Sequence, residues 1–170
     1  EELIFLSEKI LAEKENFTVE QKFEKLFFDI KELKGEVKLR EIKTRVNQNV
    51  FRQMVISNYT GKCAISGIDI PELLVASHIV PWSINEEERL NPENGICFSA
   101  LYDKAFDKGL IGIDEQYKIL LSKNIKKNKE AIYYDKYFAP LENQTLTLPQ
   151  KYLTKKEFIQ SHLDVIFQKI

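Results

Sequence analysis

LLVASHIVPWSINEEERLNPENGICFSALYDKAFD, residues Leu73 to Asp107, is the stretch on which the fold turns. The apolar run reads as a strand leading into His78, and Pro81 and Pro92 bracket a polar loop. Asn94-Gly95 is a strong turn signal because both residues tolerate the backbone angles that tight turns demand. ICFSA then reads as a brief strand, and Ala100 to Asp107 has helical spacing closed by Gly109. The local order is strand, loop, strand, helix.

Downstream, LIGID and YKILLS read as a hairpin around Asp114 and Gln116. A further short strand is expected at Leu146 to Leu148, and a C-terminal helix over roughly Thr154 to Gln168. Upstream, CAISG at Cys63 to Gly67 is a short apolar piece followed by a turn. The segment Lys38 to Arg52, KLREIKTRVNQNVFR, is locally basic, with three arginines and two lysines against one glutamate. Running into a helix whose buried face would be Phe51, Val55 and Ile56, it offers Arg45, Gln48, Asn49 and Arg52 either to phosphates or to solvent. Two more helices are expected, over Glu2 to Lys14 and over Thr18 to Leu33, the second with Thr18 as N-cap and Gly35 as its end. They are read as a helical N-terminal segment, residues 1–36, that serves dimerisation or packing beside a main domain of residues 37–170.

Composition bounds the class. With 170 residues, 44% hydrophobic and 30% charged, a folded mixed α+β protein with one sizeable core is expected. A net charge of -1 argues against a surface that binds nucleic acid everywhere, though not against a local basic patch. Two cysteines, Cys63 and Cys97, are too few for a zinc knuckle and are not a CxxC pair, so both are expected in a reduced core and the setting is cytoplasmic. No apolar run is long enough to span a bilayer, and no membrane partner is expected. The chain opens on Glu-Glu rather than Met, as a fragment or a processed chain would.

The central stretch also carries chemistry. A histidine at the end of a buried-looking strand is placed to take a proton from water if its ring stays neutral, and the Asn94 amide is a candidate to orient that ring. Asp103 and Asp107 are four apart on one helix, so both carboxylates face one side and can share an ion. Two carboxylates select a hard cation, Mg²⁺ first and Mn²⁺ second. Each feature alone has a plainer reading, a core histidine or a surface acid pair. Their order together is that of a one-metal phosphodiesterase.

The phrases RVNQNVFR, CAISG, LLVASHIVPW, RLNPENGICFSALYDKAFDKGLI and FIQSHLDVIF resemble the HNH endonuclease family, in its bacterial restriction-type branch, from about Arg40 to the C-terminus. The resemblance implies a ββα-metal core flanked by N- and C-terminal helices, and Mg²⁺- or Mn²⁺-dependent cleavage of DNA in restriction or anti-phage defence. It implies a 5′-phosphate product and approach through the minor groove. It makes His78 the general base and Asn94 the residue that positions it. Asp103 stands where the family usually has its last histidine, and Asp107 where some relatives carry another ligand. Ser77 replaces a residue that is often Asp or His, and is a weaker ligand. Arg89, Lys104 and Lys108 join Arg45, Gln48 and Arg52 as candidate DNA contacts. A homodimer through the N-terminal helices and a separate recognition domain or subunit are the expected partners. His162 is read as structural, and the alternative for the whole domain is a catalytically inactive HNH-fold DNA-binding or scaffold module.

Overall fold

The computed structural model describes residues 36–81 and 87–168, with side chains for 46–81 and 88–168. The two expected N-terminal helices lie outside the described residues. The chain divides into two compact units, Glu1–Met54 and Val55–Ile170. Helix α1, Glu36–Asn58, carries the basic segment and runs through the end of the first unit. Of the apolar side expected for it, Phe51 and Val55 are buried and Ile56 is half-buried.

The second unit is a mixed helix-and-strand fold built on β1, Leu74–His78, and β2, Gly95–Ser99. They pair antiparallel, with Ser77 opposite Ile96 and His78 opposite Gly95. Ile79 N–H donates to the Asn94 carbonyl at 3.0 Å just past the ladder. The other edge of β2 is also occupied, since Ala64 N–H donates to the Cys97 carbonyl at 2.8 Å. Every residue of β2 is buried as well, and a strand covered on both faces reads as a continuous apolar run rather than an alternating one, as GICFS does.

Helix α2, Ala100–Asp107, follows β2 directly. Its buried side is Tyr102, Ala105 and Phe106, while Leu101, Lys104 and Asp107 are exposed. The Phe106 ring meets Phe98 of β2 with centroids 5.5 Å apart and planes tilted by 60°. Residues directly opposite in a ladder share a face, and side chains alternate along each strand. Phe98, Ile96, Val75 and Ser77 therefore share the face that α2 covers, while Gly95, Cys97, Ala76 and His78 belong to the other.

A second hairpin follows, β3 at Ile111–Ile113 and β4 at Ile119–Leu121. Its turn is fixed by Asp114 Oδ1, which accepts from Gln116 N–H at 2.9 Å and Lys118 N–H at 2.8 Å. Two short helices come next, α3 at Lys123–Lys126 and α4 at Ile132–Tyr137. The strand expected at Leu146 to Leu148 is not formed. Only a bridge between Lys118 and Thr145 is present, and Leu146 and Thr147 donate to Tyr117 and Ala64 in different segments, while Pro149, two residues on, has no N–H to extend a ladder.

The last helix, α5 at Lys156–Val165, is shorter than the sequence suggests. Its exit is dictated by contact. Ile166 and Phe167 both donate to the His162 carbonyl, and Gln168 N–H then bonds the Gly109 carbonyl at 3.0 Å. This close approach needs two glycines: a Cβ on Gly109 would lie 2.1 Å from the Ile166 carbonyl oxygen, and one on Gly112 would lie 2.7 Å from the Phe167 ring. Gly109 also has φ +64°, a left-handed conformation that L side chains resist. Among the described residues no helix is long and apolar enough to cross a membrane.

Gly61 supplies a control for that seam, since its φ is +70° but nothing lies within 4 Å of an added Cβ. In urea melts, Gly61→Ala should lose about 1 kcal/mol for the backbone angle alone. Gly109→Ala should lose well over about 2 kcal/mol, because the clash with backbone adds to the same angle. Equal losses would mean that α5 does not press on Gly109.

Candidate active site

His78 is the last residue of β1 and is half-buried. Its Nε2 lies 3.0 Å from the backbone carbonyl of Arg89. A carbonyl oxygen can only accept, so Nε2 carries the hydrogen and the neutral ring keeps its lone pair on Nδ1. Burial pushes the imidazole below its ordinary pKa, while the Arg89 carbonyl works in the opposite direction by favouring the protonated ring. The result is a neutral imidazole at pH 7 with a defined basic nitrogen.

Asn94 is fully buried, and its bonds explain why the loop has this shape. Its Oδ1 accepts from Val80 N–H at 2.9 Å, and its Nδ2 donates to the carbonyls of Val80 and Glu88, each at 3.2 Å. The sequence suggests that the amide meets the imidazole itself, but these bonds go to backbone. Asn94 ties the start of the loop to the 3₁₀ turn at Glu87–Leu90, whose next carbonyl, that of Arg89, is the one that meets His78. It thus reaches the base through the loop.

Asp103 is half-buried and Asp107 exposed, one turn further along α2. Partial desolvation raises the pKa of the Asp107 carboxyl, the negative charge of Asp103 raises it further, and Lys104 and Lys108 oppose both. Two carboxylates one helical turn apart repel each other, and a cation between them would stabilise the charged form of both. Ser77 adds a second unsatisfied group on the face of the strands that α2 covers, since its Oγ is buried without a hydrogen-bond partner. Among the described residues no three His, Cys, Asp or Glu side chains form a metal-holding group. The donor set on α2 is therefore two carboxylates, which suits a hard divalent ion that keeps several waters rather than a softer one that needs nitrogen or sulfur. On the chemistry of these donors, Mg²⁺ or Mn²⁺ fits.

The candidate DNA contacts are distributed unevenly. Lys104 and Lys108 are exposed beside the acid pair, and Arg89 is half-buried in the turn that holds His78. Gln48 is exposed and Arg52 half-buried on α1 in the other unit, and the Arg45 side chain lies outside the described residues, as does Trp82. Cys63 and Cys97 are buried and form no disulfide; the Cys63 sulfur accepts from Ser99 N–H at 3.1 Å and Ser66 N–H at 3.4 Å, a packing role. Sequence reasoning missed the Arg89 carbonyl, a backbone group that no side-chain pattern can announce.

Residues 63–114 match the family model described as HNH endonuclease, a span that contains β1, β2, α2 and β3. The match falls on the central segment, the one whose motifs resemble that family. No curated protein matches the chain. Among solved structures, a "Modification dependent TagI restriction endonuclease" is similar at a TM-score of 0.45 and 16% identity, over 67% of this chain. The likeness covers 36% of that protein, so the chain spans about a third of its length.

Asn94→Asp isolates the role of the amide. The replacement keeps the acceptor for Val80 N–H but turns the donor into an oxygen facing two carbonyls. Thermal or urea unfolding should show a loss of about 3 kcal/mol at pH 7, with the deficit shrinking as acid protonates the new carboxyl. Stability equal to that of the parent would remove Asn94 as the tie of the loop.

Proposed function

We propose that this chain is a metal-dependent DNA endonuclease with a ββα-metal core formed by β1, β2 and α2. The observation that carries the reading is the fixed tautomer of His78, with Nε2–H on the Arg89 carbonyl and Nδ1 as the base. It stands within a segment of the HNH endonuclease family. Nδ1 takes a proton from the attacking water, the new hydroxyl bonds to phosphorus, and the 3′ oxygen departs and is protonated by solvent, leaving a 5′-phosphate. Asn94 keeps the loop closed so that the lone pair holds its direction. Asp103 and Asp107, with Ser77 as a weaker candidate ligand, would hold Mg²⁺ or Mn²⁺, which when bound supplies positive charge to the phosphate and the leaving oxygen. Lys104 and Lys108, with Arg89, Arg45, Gln48 and Arg52, contribute contacts to flanking phosphates.

The resemblance of the motifs extends the proposal to a cytoplasmic restriction or anti-phage enzyme. In it, this domain cuts while a further domain or subunit chooses the target, and a homodimer would cut both strands. One observation favours a second reading, a silent DNA-binding module: no three ligating side chains converge among the described residues.

Plasmid cleavage separates the two. With Mg²⁺ or Mn²⁺ the parent chain should relax and linearise supercoiled DNA, and His78→Ala should cut at least about a hundredfold more slowly. Asp103→Ala should bind the ion more weakly and lose cutting. Supercoiled plasmid that persists under both ions would leave the silent module standing.

The pH profile has a definite sign. The base works only when neutral, and burial sets its folded pKa below 6.5. Cleavage should therefore persist through pH 6.5 and fall at lower pH, as the folded-state pKa is crossed. A rate that is halved above pH 6.5 by protonation would contradict the buried environment of the ring.

A further inference from the structure

His162 on α5 is the second histidine of the chain, and the proposed reaction does not use it. It is 2% exposed. Its ring lies flat on Phe106, with centroids 3.6 Å apart and planes 2° from parallel. Its Nε2–H donates to the Phe106 carbonyl at 3.0 Å. That carbonyl already accepts from Gly109 N–H at 2.9 Å, so the imidazole is not needed to satisfy it. The other ring nitrogen, Nδ1, is buried with no partner. A phenyl ring would keep the stack and avoid burying an unpaired nitrogen, so stability alone does not call for histidine here.

What the imidazole adds is a direction. Phe106 stands between the two acids, three residues after Asp103 and directly before Asp107. A flat stack fixes its ring, and the Nε2 bond fixes its peptide plane from outside the helix. Two further bonds from the end of the chain act on the same turn: Gln168 Nε2 donates to the Lys108 carbonyl at 2.8 Å, and Gln168 N–H to the Gly109 carbonyl at 3.0 Å. Contacts from α5 and the residues after it thus seize the last turn of α2 and its exit, at residues 106, 108 and 109. On its other side, Phe106 is held by Phe98 of β2.

We infer that His162 is a positioning residue for the cation site: it locks the last turn of α2 so that the carboxylates of Asp103 and Asp107 are presented together to a hard divalent ion. The inference rests on the nuclease reading proposed for this chain. It differs from a packing role because it predicts that stability and ion affinity move separately when the ring is changed.

Calorimetric titration of the whole chain with Mn²⁺, beside thermal unfolding, tests it. His162→Phe keeps the stack, removes the unpaired nitrogen and loses the bond to Phe106. It should melt at or above the parent temperature yet bind Mn²⁺ roughly tenfold more weakly, the scale typical of groups that orient metal ligands. The acid limb of cleavage, set by His78, should not shift. His162→Gln retains an N–H donor without the stack and should fall between the two in Mn²⁺ affinity; it decides the matter if the Phe variant does not fold. Parental Mn²⁺ affinity in a folded His162→Phe chain would overturn the positioning role, as would losses of affinity and stability that run in proportion in both variants. A parent chain that cuts DNA and binds Mn²⁺ keeps those outcomes specific to His162. A parent that does neither overturns the nuclease reading and this inference with it.

Discussion

One buried amide holds the loop between β1 and β2 closed. Asn94 spans the mouth of the loop between β1 and β2, with one oxygen and one nitrogen meeting three backbone groups. No apolar side chain could do this. The Val80 peptide groups turn both an N–H and a C=O toward Asn94 in a buried place, and each unpaired group there costs about 1–3 kcal/mol. With the loop closed, the Arg89 carbonyl arrives at His78 and selects its tautomer. A carboxamide at the far end of the loop thereby decides which ring nitrogen carries the hydrogen.

A second constraint acts from the other side of the strands. Phe98, Phe106 and His162 form a run of three rings that fastens β2, α2 and α5 to one another. Because Phe106 is fully buried, α2 cannot rotate without opening the core. Its exposed side, carrying Lys104 and Asp107 and leading into Lys108, is therefore fixed in direction by the side that faces inward. The glycines at 109 and 112 complete this seam by letting the end of α5 lie directly on the backbone that follows α2.

Much of this was legible from the sequence where local rules decide. The strand before the loop and the helix closed by Gly109 were readable, because short-range periodicity and a helix-ending glycine set them, whereas the turn expected at Asn94-Gly95 is a 3₁₀ turn at Pro92–Asn94 and Gly95, with φ -129°, already belongs to β2. The hairpin at Asp114 was readable from its turn chemistry. The helices α3 and α4 were not, since four and six residues give periodicity too little length to register. Leu146 to Leu148 looked like a strand by composition, yet its donors find partners in two different segments and build no ladder. The residue types of the site were legible and their partners were not. Asn94 could be named as an organiser, but that it grips backbone depends on the path of a loop. His162 is 56 residues from the carbonyl it meets, and no pattern in sequence connects them.

The polar groups left in tension show where stability was not the only requirement. Among the described residues three buried side-chain atoms lack hydrogen-bond partners, and two of them, Ser77 Oγ and His162 Nδ1, belong to residues on the strand and helix that flank α2. Asp107, whose pKa is raised by partial burial and then by the charge of Asp103, lies on α2 itself. Buried orphans and like-charge pairs each subtract from folding, and chance would scatter them over the unit. Their gathering around one two-turn helix is the physical ground for the proposal that an ion from outside the chain is held there. The same helix lies inside the segment that matches the HNH endonuclease family, so the physical argument and the family match converge on one element.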